Sequence, residues 1–180
     1  MTQLTLANLR AILHTMNKPE IEDMVCALYR SGEDASTFFN NRYNTQEYID
    51  RLLHTYKAYL DVYFCHLCDY ENAAQLKRYV YEFSHAVSDV ASALELMLFC
   101  VEKATQYACD EEASYLFLDD LIAIFRDFVQ MLSQQSDFVR LFSHFQVRLE
   151  QLEWDAGSVG IKYGETISEL CLELITCVEE

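Results

Sequence analysis

Proline is almost missing from this chain of 180 residues: there is one, Pro19, and glycine is scarce as well, at four. That scarcity excludes collagen-like and low-complexity sequence and argues against a turn-rich β-sandwich. Basic residues are also few. Thirteen Lys and Arg stand against 29 Asp and Glu, a formal charge of −16. No basic run occurs, so the cations that displace counterions on nucleic acid are lacking, and an anionic membrane surface is disfavoured for the same reason. Long apolar runs are missing too. Stretches such as Leu96-Met97-Leu98-Phe99-Cys100-Val101 fall far short of the ~20 residues that span a bilayer. The opening Met1–Arg10 has neither the basic segment nor the apolar run of a secretory signal. Seven cysteines, an odd number in a chain long enough to fold without disulfides, read as reduced thiols, and the expected location is cytoplasmic.

What the chain does contain is a core. Hydrophobic residues make up 52% and charged residues 23%, which excludes wholesale disorder and leaves a single globular domain over 1–180 as the expectation. The apolar residues follow helical spacing throughout. Leu6, Leu9, Ile12 and Leu13 make a first stripe behind a Thr5 cap. Asn17-Lys18-Pro19-Glu20 is a capping box with proline in the first turn, opening a helix with Ile21, Met24, Val25 and Leu28 that Gly32 is placed to end. Asn44-Thr45-Gln46-Glu47 is a second capping pattern, followed by Ile49, Leu52, Leu53, Tyr56, Leu60, Tyr63, Phe64 and Leu67 on one face.

Further stripes follow at Leu76–Val87, Val90–Val101, Leu116–Leu132, Phe138–Leu152 and Ile167–Val178. Ser88-Asp89 is placed to cap the second of these, and Asp110-Glu111-Glu112 loads acid onto the start of the third, where the helix dipole favours it. The fold class is therefore all-α: about eight or nine helices joined by short links, which makes antiparallel hairpins. A curved α-solenoid-like array of those hairpins is the expected architecture, with a closed helical bundle as the alternative, although no sequence repeat appears at 34 or about 40 residues. Gly157, Gly160 and Gly164, close behind Trp154, suggest tight or left-handed turns before the last helix.

Few patterns carry chemistry. Cys65-His66-Leu67-Cys68 supplies half of a zinc site, but none of the other cysteines recurs as C-x-x-C. Glu82 and His85 have the E-x-x-H spacing of di-iron bundles, without a second copy. Acids recur seven apart at Glu82/Asp89, Glu95/Glu102 and Asp120/Asp127. A carboxylate pair in an apolar pocket does acid–base work, yet the same spacing is what a solvated polar stripe produces. Gly157, Gly160 and Gly164 with Lys162 could cradle a phosphate, but Glu153, Asp155 and Glu165 crowd that loop with negative charge. No nucleotide-binding, nucleophile-elbow or metalloprotease motif is present, so no catalytic, cofactor or metal residue is assigned.

The Leu9…Leu13 helix, Lys18-Pro19-Glu20, Leu28-Tyr29, the closing Leu149…Trp154, and Val159-Gly160 with Tyr163-Gly164 together resemble a family of small bacterial all-helical proteins known only as a domain of unknown function. The resemblance implies a bacterial source and a helical fold, and it brings no catalytic residues. Charge adds the remaining clue: residues 1–80 hold 8 bases and 10 acids (net −2), and residues 81–180 hold 5 bases and 19 acids (net −14). The expected function is a non-catalytic helical module that meets a protein partner, a basic one being allowed, through an acidic or aromatic face; Trp154, Lys162 and Tyr163 mark the candidate interaction loop. The alternative is a protein that binds a small molecule or metal, an enzyme included, around Cys65/His66/Cys68 or Glu82/His85.

Overall fold

A computed structural model describes residues 4–66, 73–110 and 113–179, and among these there are nine α-helices and no strand. The chain divides into two compact units, 1–48 and 49–180.

The first unit holds α1 (Leu6–Thr15), α2 (Lys18–Arg30) and α3 (Glu33–Tyr43). The starts of α1 and α2 are those expected from sequence. Thr5 Oγ1 accepts from the Asn8 amide at 3.2 Å, and the Asn17/Glu20 box closes in both directions at 3.0 and 2.8 Å. Gly32 differs from expectation. α2 stops at Ser31, and Gly32 is the extended residue in front of α3. α2 and α3 meet through the Tyr29 and Phe39 rings and a Tyr29 hydroxyl donating to Asn40 at 3.3 Å. No described residue of this unit is buried, and Leu6, Leu28 and Phe38 stay exposed.

The second unit begins within α4 (Gln46–His66) and continues through α5 (Ala74–Ala86), α6 (Val90–Asp110), α7 (Tyr115–Ser133), α8 (Phe138–Val159) and α9 (Ile161–Glu179). Thr45, one residue later than the expected Asn44, caps α4 by accepting from the Tyr48 amide. Asp89 caps α6 as expected. The acid-loaded start predicted for the next helix is displaced: Asp110 is the last residue of α6, and Ser114 caps α7 by accepting from the Phe117 amide.

Helices two apart in sequence run parallel and side by side, which is how consecutive hairpins stack. α6 lies on α8, α7 lies on α9, and α5 touches α7. Residue pairs show the direction. Glu102 meets Arg148 and Cys109 meets Asp155, each 46 residues on. Lys77 meets Asp120 and Tyr81 meets Asp127, 43 and 46 residues on. α6 is the central helix, with 11 of its 21 residues buried; a helix packed on several sides must be apolar around most of its circumference. The core continues through Phe83, Phe117 and Phe125 to Phe128, whose ring sits edge-on to Phe145 of α8 at 5.5 Å.

The clustered glycines do not form a loop. α8 runs through Gly157 to Val159, only Gly160 interrupts the helix, and no glycine is in the left-handed region. Gly164 serves close packing instead. A Cβ there would stand 2.9 Å from Gly157 Cα and 3.2 Å from the Ala156 carbonyl, so α9 rests directly on the backbone of α8.

Candidate functional site

Of the three residues expected to form an interaction loop, Trp154 is set apart from Lys162 and Tyr163. Trp154 lies in α8 with 77% of its surface exposed. Lys162 and Tyr163 are in the first turn of α9, where Lys162 is exposed and Tyr163 is buried. The Tyr163 hydroxyl shares a 2.7 Å hydrogen bond with the buried Thr105 of α6, so its polar atom is already occupied. Lys162 and Tyr163 line a cleft of about 650 Å³ with Ser114, Tyr115, Asp119 and Ile161. Trp154 borders a separate shallow groove with Glu150, Glu153, Gly157 and Ser158.

The thiol motif lies partly outside the described residues: Cys65 is exposed, while the His66 side chain and Cys68 are not among them. Among the described residues, no three His, Cys, Asp or Glu side chains gather as metal ligands do. Glu82 is turned toward Arg78 at 3.5 Å, and His85 is exposed.

Of the three pairs of acids seven apart, Glu82 is solvated as its spacing suggested and Asp89 caps α6, but Glu95/Glu102 and Asp120/Asp127 are not a solvated stripe. Glu95 and Glu102 both grip Arg148 of α8, and Glu95 also takes Lys57 of α4 at 2.6 Å. Asp120 accepts from Lys77 and from the Ala73 amide at 2.7 and 3.1 Å, and Asp127 accepts from the Tyr81 hydroxyl. A seven-residue step returns to the same helix face, and here that face looks across to the neighbouring hairpin. These carboxylates link helices. Burial pushes Glu95 upward, but the bonds and charges of Lys57 and Arg148 outweigh it and hold its carboxyl below the usual value.

Sequence reasoning missed the groove between α8 and α9. Phe142, Gln146, Leu149, Glu150 and Glu153 line it from α8, and Cys171 and Ile175 from α9. Glu153 accepts from Ser168 across the helix pair, and Glu150 accepts from Gln146 at 3.1 Å. Burial, with the charge of Glu153 second, pushes the Cys171 thiol up to about 12. A signal for this surface was available. Ile175, 45% exposed, lies off the Ile167/Leu170/Leu174 stripe, and an apolar residue off the core stripe of an end helix marks something more than core.

No family model, no curated protein and no solved structure matches this chain. No helix among the described residues is long and apolar enough to cross a membrane.

Proposed function

We propose that the chain is a non-catalytic helical interaction module whose α8–α9 hairpin meets a basic protein. One observation carries this reading: Trp154, Leu172 and Ile175 are exposed on a hairpin whose residues 149–180 contain eight acids and a single base, Lys162. Exposed aromatic and aliphatic side chains set among like charges are what a protein-binding surface needs: apolar contact for affinity, and a field for steering and selection. Peptide-display selection on the purified chain tests it. The selected peptides should be enriched in Lys and Arg, and their binding should weaken as salt rises from about 50 to about 500 mM, where screening shortens to a few ångströms. A selected set that is neutral or acidic, or indifferent to salt, would sink the reading.

A second reading, small-molecule binding, draws on the cleft of about 650 Å³ beside Lys162, which falls within the roughly 300–1,000 Å³ of ligand pockets. A compound that raises the melting temperature and is lost on Lys162→Ala would favour it.

A further inference from the structure

We infer that the groove between α8 and α9 seats the apolar face of a basic amphipathic helix supplied by a partner protein. This rests on the interaction-module reading and adds to it the seat and the form of the occupant.

The floor of the groove is apolar: Leu149 and Cys171 are 4% and 5% exposed, Phe142 is half-buried and Ile175 half-open. Its volume, about 220 Å³, is below the roughly 300–1,000 Å³ of small-molecule sites and matches inserted side chains better than a whole ligand. The groove is also elongated. Its α8 lining residues recur at three- and four-residue steps from Phe142 to Glu153, and its α9 residues are one turn apart at Cys171 and Ile175. The hydrogen bond between Glu153 and Ser168 and the Gly157–Gly164 contact place the two helices antiparallel along it. A channel between two helices accepts a third helix, read by anchors at i, i+3 or i+4, and i+7.

Charge selects the occupant. Glu150 and Glu153 line both this groove and the shallower one at Trp154, so they form the ridge between them. Each accepts a hydrogen bond from a neutral side chain, and among the described residues neither is in an ion pair. A second copy of the same hairpin would bring carboxylates against carboxylates. A helix with lysines or arginines flanking its apolar stripe brings the cations that the ridge lacks.

The test uses the full chain and a fluorescent leucine–lysine peptide patterned as an amphipathic helix, with anisotropy as the readout. Two further peptides accompany it: one with its leucines changed to serine, the other with its lysines changed to glutamate. Both should bind at least about tenfold more weakly, a difference of about 1.4 kcal/mol. Ile175→Lys fills and charges the groove at an already exposed position, and Glu150→Lys reverses the ridge; each should weaken the leucine–lysine peptide about fivefold or more while circular dichroism stays native.

Four results would overturn the inference, and they differ in what else they remove. Salt-sensitive binding that ignores both variants removes the groove and leaves the acidic module standing. Loss of binding on Trp154→Ala alone moves the seat to the neighbouring groove. No binding by any basic peptide removes the module reading as well. Sedimentation showing a dimer that Ile175→Lys disperses would give the groove to a second copy of this chain.

Discussion

Arg148→Ala tests how the hairpins are held together. The guanidinium donates to both oxygens of Glu102, from Nε at 2.8 Å and Nη2 at 2.6 Å, and reaches Glu95 through Nη1 at 2.6 Å. Its side chain is 30% exposed, against 20% for Glu95 and 21% for Glu102. Breaking a fully buried pair costs about 3–5 kcal/mol, and an exposed one contributes only about 0.2–1 kcal/mol. Partial exposure places the alanine variant between these limits, at about 2 kcal/mol, most of it from leaving Glu102 without its partner. Arg148→Lys keeps the charge and loses the fork, so it should cost about half as much.

In a chain of this size 1 kcal/mol shifts the melting temperature by roughly 2–4 °C, so the alanine variant should melt about 4–8 °C lower. The pH dependence provides a second signature. Glu95 is held below its ordinary value of 4.5, so its pairing stabilises the folded chain fully above about pH 4.5 and is lost as pH falls through the lowered value. Urea unfolding followed by circular dichroism should therefore show the full deficit at pH 7 and a smaller one near pH 3. A deficit below about 0.5 kcal/mol at pH 7, or one equally large at both pH values, would refute the reasoning.

Gly164→Ala should destabilise by about 1–3 kcal/mol, because the added methyl meets backbone atoms of α8 that cannot rotate away. Gly157→Ala, in the same helix pair but with nothing within 4 Å of its Cβ, should stabilise by about 0.5–1 kcal/mol; paired melting curves of opposite sign check both. Iodoacetamide at pH 8 should label Cys26, Cys65 and Cys177, which are exposed, and spare Cys100 and Cys171, whose thiols burial pushes up to about 12. Peptide mass mapping reads the result, and rapid labelling of Cys171 would mean that α9 opens from α8. Tyr163→Phe should cost about 1–2 kcal/mol by leaving the Thr105 hydroxyl buried without its partner, measured by urea titration.

Helix positions were legible where a cap and a periodic stripe coincide. Thr5 and the Asn17/Glu20 box are local chemistry, complete within four residues, and both stand as read. A cap was misplaced where two candidates sit side by side, at Asn44 and Thr45, because Asn44 is already the C-cap of α3, its amide donating to the Asn40 carbonyl. The hairpin stacking left no trace as a sequence repeat. The offsets between stacked helices range from 38 to 53 residues, so no fixed period exists to be found. The glycine cluster misled because scarcity of side chain reads the same in a turn and in a tight crossing. Tyr163 misled because an aromatic beside a lysine reads as surface, and only the facing Thr105, 58 residues away, shows it to be core.

The ion pairs between hairpins also account for where the acidity ends up. After residue 48 the chain has nine bases and 23 acids. Four of those bases, Lys57, Lys77, Lys103 and Arg148, are in pairs between helices, and Arg78 and Arg140 pair along their own helix. The pairs between helices all fall within α4 to α8, and among the described residues none reaches Glu165, Glu169 or Glu173 on α9. These pairs thus take up six of the nine bases and leave Lys162 as the single base against the eight acids of residues 149–180. Acid kept only for solubility could sit anywhere on the surface. Here Glu150 and Glu153 stand beside the exposed Trp154 and Ile175, so the proposed partner would meet charge and apolar surface together. That coincidence is the reason to look for a cationic helix at α8–α9 before anywhere else on the chain.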